Sequence, residues 1–527
     1  MRLSILGIAA LWLAAGLAGQ QPPAACTVQG TVVNRVSGEA LQRVTLQLHS
    51  MEPGGTHSYT SVSAADGRFE FVQIEPGQYT LQAQRLGFED HESSVALECG
   101  QPGAGIEVKL VPHGVVAGRV TDEFGEPLPG VSVQAMLRGY VNGNRRVIPA
   151  GQAVTNDLGE YRIHGLAPGL YFIQAALAAK ADSSGSTVFL PAYFPNTDRP
   201  ESAQPLEVAP GQVQSGINFL LRRVPAFSIR GHVATTLRTS KGVMIYLAQR
   251  NAGNWLTERR PIPVVNGVFE VTGVTSGSYH LVAEQFGESG APVAGALVPV
   301  EVADRDIDGI NLGPTARPDI SGKLIWEGTA PQPGTGRTPR IVLRPEPGDS
   351  SPPASVSVGA EVEESGSFRI RSVPPGIYHV QVTNLAPGFY VKSARLGDAG
   401  GTSMRLDLLQ PQGGALTVVV TSRGGAMAGN VESNRAGLVQ VFAIAEGNPW
   451  WSRTAVTGDH GHFEIKGLAP GEYRVLACER IDPEAYQDSE LMKSLEGQSQ
   501  RVTVSENSRE MLTLKLMPCE TGRMNAQ

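Results

Sequence analysis

The stretch DGRFEFVQIEPGQYTLQA, Asp66 to Ala83, decides the fold, because four further copies of its pattern lie downstream. Each copy carries two glycines ten residues apart: Gly67/Gly77, Gly159/Gly169, Gly267/Gly277, Gly366/Gly376 and Gly461/Gly471. An aromatic stands two residues after the first glycine (Phe69, Tyr161, Phe269, Phe368, Phe463) and a tyrosine two after the second (Tyr79, Tyr171, Tyr279, Tyr378, Tyr473). Ile74, Leu166, Val274, Val373 and Leu468 fill an aliphatic position three before the second glycine. Within a copy, Phe69 and Phe71, then Tyr79, Leu81 and Ala83, alternate with polar or small residues, which predicts two strands that each bury one face. The Pro-Gly pairs Pro76-Gly77, Pro168-Gly169, Pro375-Gly376 and Pro470-Gly471 predict a type II turn between them, with the glycine at positive φ.

Working outward, each copy is preceded by an opening strand with an internal glycine (Gly30, Gly118, Gly231, Gly322, Gly429), the mark of a bulge or of close backbone approach. A tyrosine just past a strand-to-strand corner resembles the tyrosine corner of immunoglobulin-type sandwiches, where the hydroxyl bonds back to the backbone. Five copies in 527 residues predict an all-β chain of five Ig-like β-sandwich domains in tandem, at 26–111, 112–223 (with long loops), 225–313, 318–423 and 425–519. The 62 glycines and 37 prolines suit such a turn-rich architecture. One segment, Asp482 to Gly497, has helical spacing, with Leu491 and Leu495 four apart.

A net charge of −7 with 18 % charged residues supplies no basic field to hold nucleic acid. Residues 1–18 read as a signal peptide: Arg2, an apolar run from Ile5 to Leu17, then small residues. The expected location is therefore outside the cytoplasm, in the periplasm, at the cell surface or secreted. No later stretch is long enough to span a bilayer. The four cysteines fall in two pairs, Cys26 with Cys99 and Cys478 with Cys519, each within one outermost domain. In an exported chain they are expected to form disulfides, with buried thiols as the alternative.

Catalytic signatures are missing. There is no GxSxG elbow, no GxxxxGK phosphate loop, and the HxxE of His49 and Glu52 lacks a third ligand. Asp304, Asp306 and Asp308 with Gly309 spell the start of a calcium loop, but position twelve is Thr315 where a bidentate glutamate belongs. No metal and no cofactor are expected. Aromatics in loops, Trp450-Trp451 and Tyr193-Phe194, are candidates for stacking on sugar rings; docking onto a neighbouring domain is the alternative.

GRVTDEFGEPLPGVSV followed by GEYRIHGLAPGLYFIQA resembles the carboxypeptidase regulatory-like domain family, similar in shape to transthyretin-like and collagen-adhesin B-repeat sandwiches. The resemblance implies sandwiches of the carbohydrate-binding-like fold class acting as accessory or surface modules, without a catalytic domain. The function expected is a non-catalytic exported scaffold, a spacer or adhesion module whose partner is a protein or polysaccharide of the cell envelope. The alternatives are a carbohydrate-binding protein using the loop aromatics and an accessory subunit of an envelope assembly.

Overall fold

In the computed structural model, residues 26–50, 57–97, 105–141, 144–177, 186–234, 242–250, 260–288, 290–328, 330, 338–346, 357–397, 404–408, 414–432, 439–458, 461–478, 493 and 495–517 are described. The alternation read from the repeat sets the strands. In the first segment these are β1 (Cys26–Asn34), β2 (Thr45–Ser50), β3 (Ser58–Val62), β4 (Arg68–Ile74), β5 (Gly77–Gln84), β6 (His91–Leu97) and β7 (Ile106–Leu110). They form two sheets, β4-β1-β7 and β3-β2-β5-β6, antiparallel except for the parallel pair β1/β7. Phe69, Phe71, Leu46, Leu48, Tyr79, Leu81 and Leu110 fill the space between them. The decisive stretch is thus a corner and not a hairpin: β4 lies in one sheet and β5 in the other.

The corner is built differently from the expected type II turn. Gly77, Gly277 and Gly471 have φ of 159°, 158° and 155°, positive but far from the roughly 80° of a type II turn, and each begins a strand. The left-handed residue stands four positions earlier in every copy: Gln73, Gly165, Gly273, Ser372 and Gly467, with φ between 51° and 74°. In copies one, two, three and five the register slips by one residue there, which is a β-bulge that bends the strand toward the second sheet. In copies three and four the second glycine also answers to packing. A Cβ on Gly277 or Gly376 would lie 3.3 or 3.2 Å from the ring of Tyr279 or Tyr378.

That ring closes the corner. Each repeat tyrosine donates its hydroxyl to the carbonyl four residues back: Tyr79 to Glu75 at 2.9 Å, Tyr171 to Ala167 at 2.6 Å, Tyr279 to Thr275 at 3.0 Å, Tyr378 to Pro374 at 2.9 Å and Tyr473 to Ala469 at 2.8 Å. Burial pushes the Tyr378 and Tyr473 hydroxyls up to about 12, so the donated proton is retained across the ordinary pH range. Tyr171→Phe keeps the buried ring and removes only this bond, so a loss of about 1 kcal/mol is expected in the stability of its segment. Urea-dependent proteolysis of peptides from residues 114–221 measures it; an unchanged midpoint would sink the assignment.

The opening glycines have one common reason. Gly30 is registered opposite Phe69, Gly118 opposite Tyr161, Gly231 opposite Phe269, Gly322 opposite Phe368 and Gly429 opposite Phe463. Any Cβ there would collide with the carbonyl of the chain segment on the other side, Ile106, Ile217, Ile310, Leu416 and Leu512 in turn. In copies one, three and four it would also meet the aromatic ring itself.

The chain divides into two compact units, Met1–Pro112 and His113–Gln527. The second contains four further cores of the same composition, centred on Val133, Tyr161 and Tyr171; Ile245, Phe269 and Tyr279; Ile341, Phe368 and Tyr378; and Val441, Phe463 and Tyr473. In its first segment the homologous strands are β8 (Gly114–Asp122), β9 (Ser132–Val141), β10 (Asn144–Val154), β11 (Glu160–Leu166) and β12 (Gly169–Ala176). In the last segment the two sheets merge, because the strand Arg509–Met517 pairs with both Gly425–Glu432 and Gly471–Cys478. Of the helical candidate only Lys493 and residues from Leu495 on are described. Leu495 is buried against Phe442, Ile444, Leu476 and Met517, on the sheet face turned away from the core.

Candidate functional site

The loop aromatics are built into packing. Tyr193 is 6 % exposed, and Gln174 Nε2 donates to its hydroxyl at 3.2 Å. Phe194 packs against the core of its segment. Trp451 packs against the core of the last segment, its indole nitrogen buried. Trp450 stacks on His379 of the preceding segment, ring centroids 4.3 Å apart and planes 16° from parallel. A sugar platform needs an open aromatic face; the Tyr193 ring is buried, and one face of the half-buried Trp450 is covered by His379.

Two members of the acidic triplet, Asp306 and Asp308, are also engaged. Asp306 accepts the Ser228 backbone N–H at 2.9 Å and Arg230 Nη1 at 3.0 Å, and Asp308 accepts the same Nη1 at 3.4 Å. The Ser228 N–H and then the Arg230 guanidinium hold the Asp306 carboxyl below the usual carboxylate range. Arg230, bonded also by Glu270 Oε1 at 2.7 Å, is the cation of this loop. Among the described residues no cluster of His, Cys, Asp or Glu is arranged to hold a metal. Addition of calcium or of a chelator is therefore expected to leave the melting temperature unchanged; a calcium-dependent rise would revive the loop reading.

Cys478 is wholly buried at the end of its strand, whereas the Cys26 side chain, Cys99 and Cys519 lie outside the described residues. A shallow groove of about 540 Å³ runs along Ala117, Arg119, Asn156, Glu160 and Arg162. Two of its polar groups have partners: Arg119 Nε donates to the Leu158 carbonyl at 2.9 Å and the Tyr161 hydroxyl to the Ile217 carbonyl at 2.6 Å.

What sequence reading missed are the joints inside the second unit. Arg317, in the linker after the third segment, forms a 2.7 Å ion pair with Glu284, both side chains under 10 % exposed. Its N–H donates to the Val293 carbonyl at 2.9 Å, and its charge acts on the Tyr378 hydroxyl of the fourth segment. At the next joint the backbones touch directly. Gly424 donates to the Gly388 carbonyl at 3.2 Å, and a Cβ on Gly467 would collide with the Phe389 carbonyl. Arg423 reaches Glu327 on one side at 3.4 Å and Glu506 on the other at 3.5 Å. The only sequence signal for these contacts was a charged residue inside each short linker. His379 had none, since an outward position beside Tyr378 reads as ordinary strand surface.

Comparison with solved structures finds similar chains at low identity. A streptococcal ancillary pilin is 12 % identical, with 55 % of this chain and 100 % of the pilin covered and a TM-score of 0.20. The major pilin subunit of Bacillus cereus is 12 % identical over 55 % of this chain and 99 % of its own, TM-score 0.16. The minor pilin of Streptococcus agalactiae is 13 % identical over 42 % and 99 %, TM-score 0.18. No curated protein matches the chain. The first sandwich, residues 27–111, matches the family model of the carboxypeptidase regulatory-like domain, the family that the repeat resembles.

Proposed function

We propose that this chain is an exported, non-catalytic scaffold of the cell envelope. Five sandwich domains, at 26–111, 112–223, 225–313, 318–423 and 425–519, follow a signal peptide at 1–18 and hold a binding surface for a protein or polysaccharide partner. The observation that supports this reading is where the reactive-looking groups are used. Tyrosine hydroxyls cap corners, Asp306 neutralises Arg230, and Arg317, Arg423 and Trp450 join one segment to the next. Such joints suit a load-bearing or spacing part better than a reaction site, which requires perturbed groups facing an accessible cleft.

The four cysteines belong to the same proposal. Disulfides Cys26–Cys99 and Cys478–Cys519 would close the two outermost domains against loss of structure outside the cell. The buried Cys478, and the fact that no described cysteine is a free thiol, support it. The test is fractionation of cells producing the full chain, followed by intact mass of the recovered protein before and after reduction. The expected product lies outside the cytoplasm, lacks residues 1–18, and gains on reduction the hydrogens of two disulfides. A full-length cytoplasmic protein with four free thiols would overturn the reading.

A further inference from the structure

We propose that the joint between the fourth and fifth segments is a proton-sensitive contact, held closed by neutral His379 stacked on Trp450 and loosened when the imidazole takes a proton. The ring lies within the joint, its side chain 12 % exposed, with one face covered by Trp450. Nδ1 is buried without a hydrogen-bond partner, so a proton added there has no acceptor. Nε2 stands 3.8 Å from Glu346 Oε1, beyond hydrogen-bond range, while the other oxygen of Glu346 accepts Arg405 Nε at 2.8 Å.

The charged groups around the ring do not rescue the imidazolium. On the flanking strands Arg344 and Arg405 are registered directly opposite His379, with Glu346 and Asp407 beside them; the covering turn Pro449–Trp451 carries no charge. Arg405 stands against the attraction of Glu346, which lies within ion-pair range of the ring. Burial, the largest cause, outweighs the attraction of Glu346 and, with a smaller push from Arg405, holds the imidazole below its ordinary value.

The sign follows from that depression. Above the ordinary histidine value of about 6.5 the ring is neutral whether the joint is closed or open, and the contact has its full strength. As pH falls below that value the open joint gains a proton that the closed joint resists, so the closed state loses ground until its own histidine titrates. If the closed ring stays neutral throughout, the closed-to-open ratio falls about tenfold between about pH 7.5 and 5.5. The stack works the other way, since the indole face attracts an imidazolium, so loosening requires that burial and the missing acceptor at Nδ1 outweigh it.

The experiment is hydrogen exchange of the full chain, reading the amides that cross the joint, Gly424 to Gly388 and Asn507 to Arg423. Protection is corrected for the intrinsic pH dependence of exchange and compared with core amides of the first segment. The expected result is a fall of up to about tenfold in protection on acidification of the wild type, and no such fall in His379→Phe, which keeps an aromatic ring but cannot be protonated. An unchanged or rising protection in the wild type, or the same fall in His379→Phe, overturns the proposal. Should His379→Phe not fold, the titration of His379 in the wild-type protein, followed by NMR on labelled histidine, decides alone. A midpoint at or above the ordinary histidine value overturns the proposal, and one below it upholds the closed, neutral joint.

Discussion

Gly118→Ala is expected to destabilise the second segment by about 3 kcal/mol or more. The added methyl has nowhere to go, because it points at the backbone carbonyl of Ile217 in the adjacent chain segment and not at a side chain able to turn away. That segment is held against the strand of Gly118 itself, since Ile217 donates its N–H to Ala117 O at 3.1 Å and its carbonyl accepts Tyr161 Oη at 2.6 Å. Relief requires parting the two, with loss of the bonds between them. Gly313→Ala is the matched control: nothing lies within 4 Å of its Cβ position and its φ is not left-handed, so a change within about 0.5 kcal/mol is expected. Urea-dependent proteolysis with peptide readout separates the segments, which one global unfolding curve for a multidomain chain does not. Equal midpoints for the two variants would refute the close-packing account of all five opening glycines.

Arg317→Ala is expected to cost roughly 3–5 kcal/mol, because it leaves the Glu284 carboxylate buried without its countercharge. The pair is the most enclosed of the described ion pairs, with side chains 8 % and 9 % exposed, so solvent does not take over the role of the guanidinium. The guanidinium also lies over Gly295, with Nη2 3.2 Å from that residue's Cβ position, so its loss opens space as well. Replacing both partners, Arg317→Met with Glu284→Leu, removes the charges together and is expected to recover most of the loss. A double-mutant cycle on the third-segment transition supplies the coupling. If the single variants are as mild as surface ion pairs, under about 1 kcal/mol, the joint is wetter than its geometry indicates.

The legible part of this protein was what lies within a few residues along the chain. A tyrosine hydroxyl bonding back to the backbone was anticipated from the corner position; the structure supplies the acceptor, the carbonyl four residues earlier in all five copies. The turn type was misread. Pro-Gly drew attention to the second glycine, whereas the left-handed residue is four earlier and is a glycine in only three copies, Gly165, Gly273 and Gly467. Gln73 and Ser372 adopt the same conformation without a sequence mark.

By itself the sequence determined the strands, the number of repeats and the five cores, because alternation, turn glycines and the corner tyrosine act over ten residues or fewer. Only the tertiary structure decided that Gly118 faces Tyr161, that Arg230 occupies the acidic loop, and that Trp450 covers His379. Those partners stand from 43 to 78 residues apart. Their meeting depends on how sheets and segments pack, and on outward-facing positions whose sequence is indistinguishable from solvated strand surface.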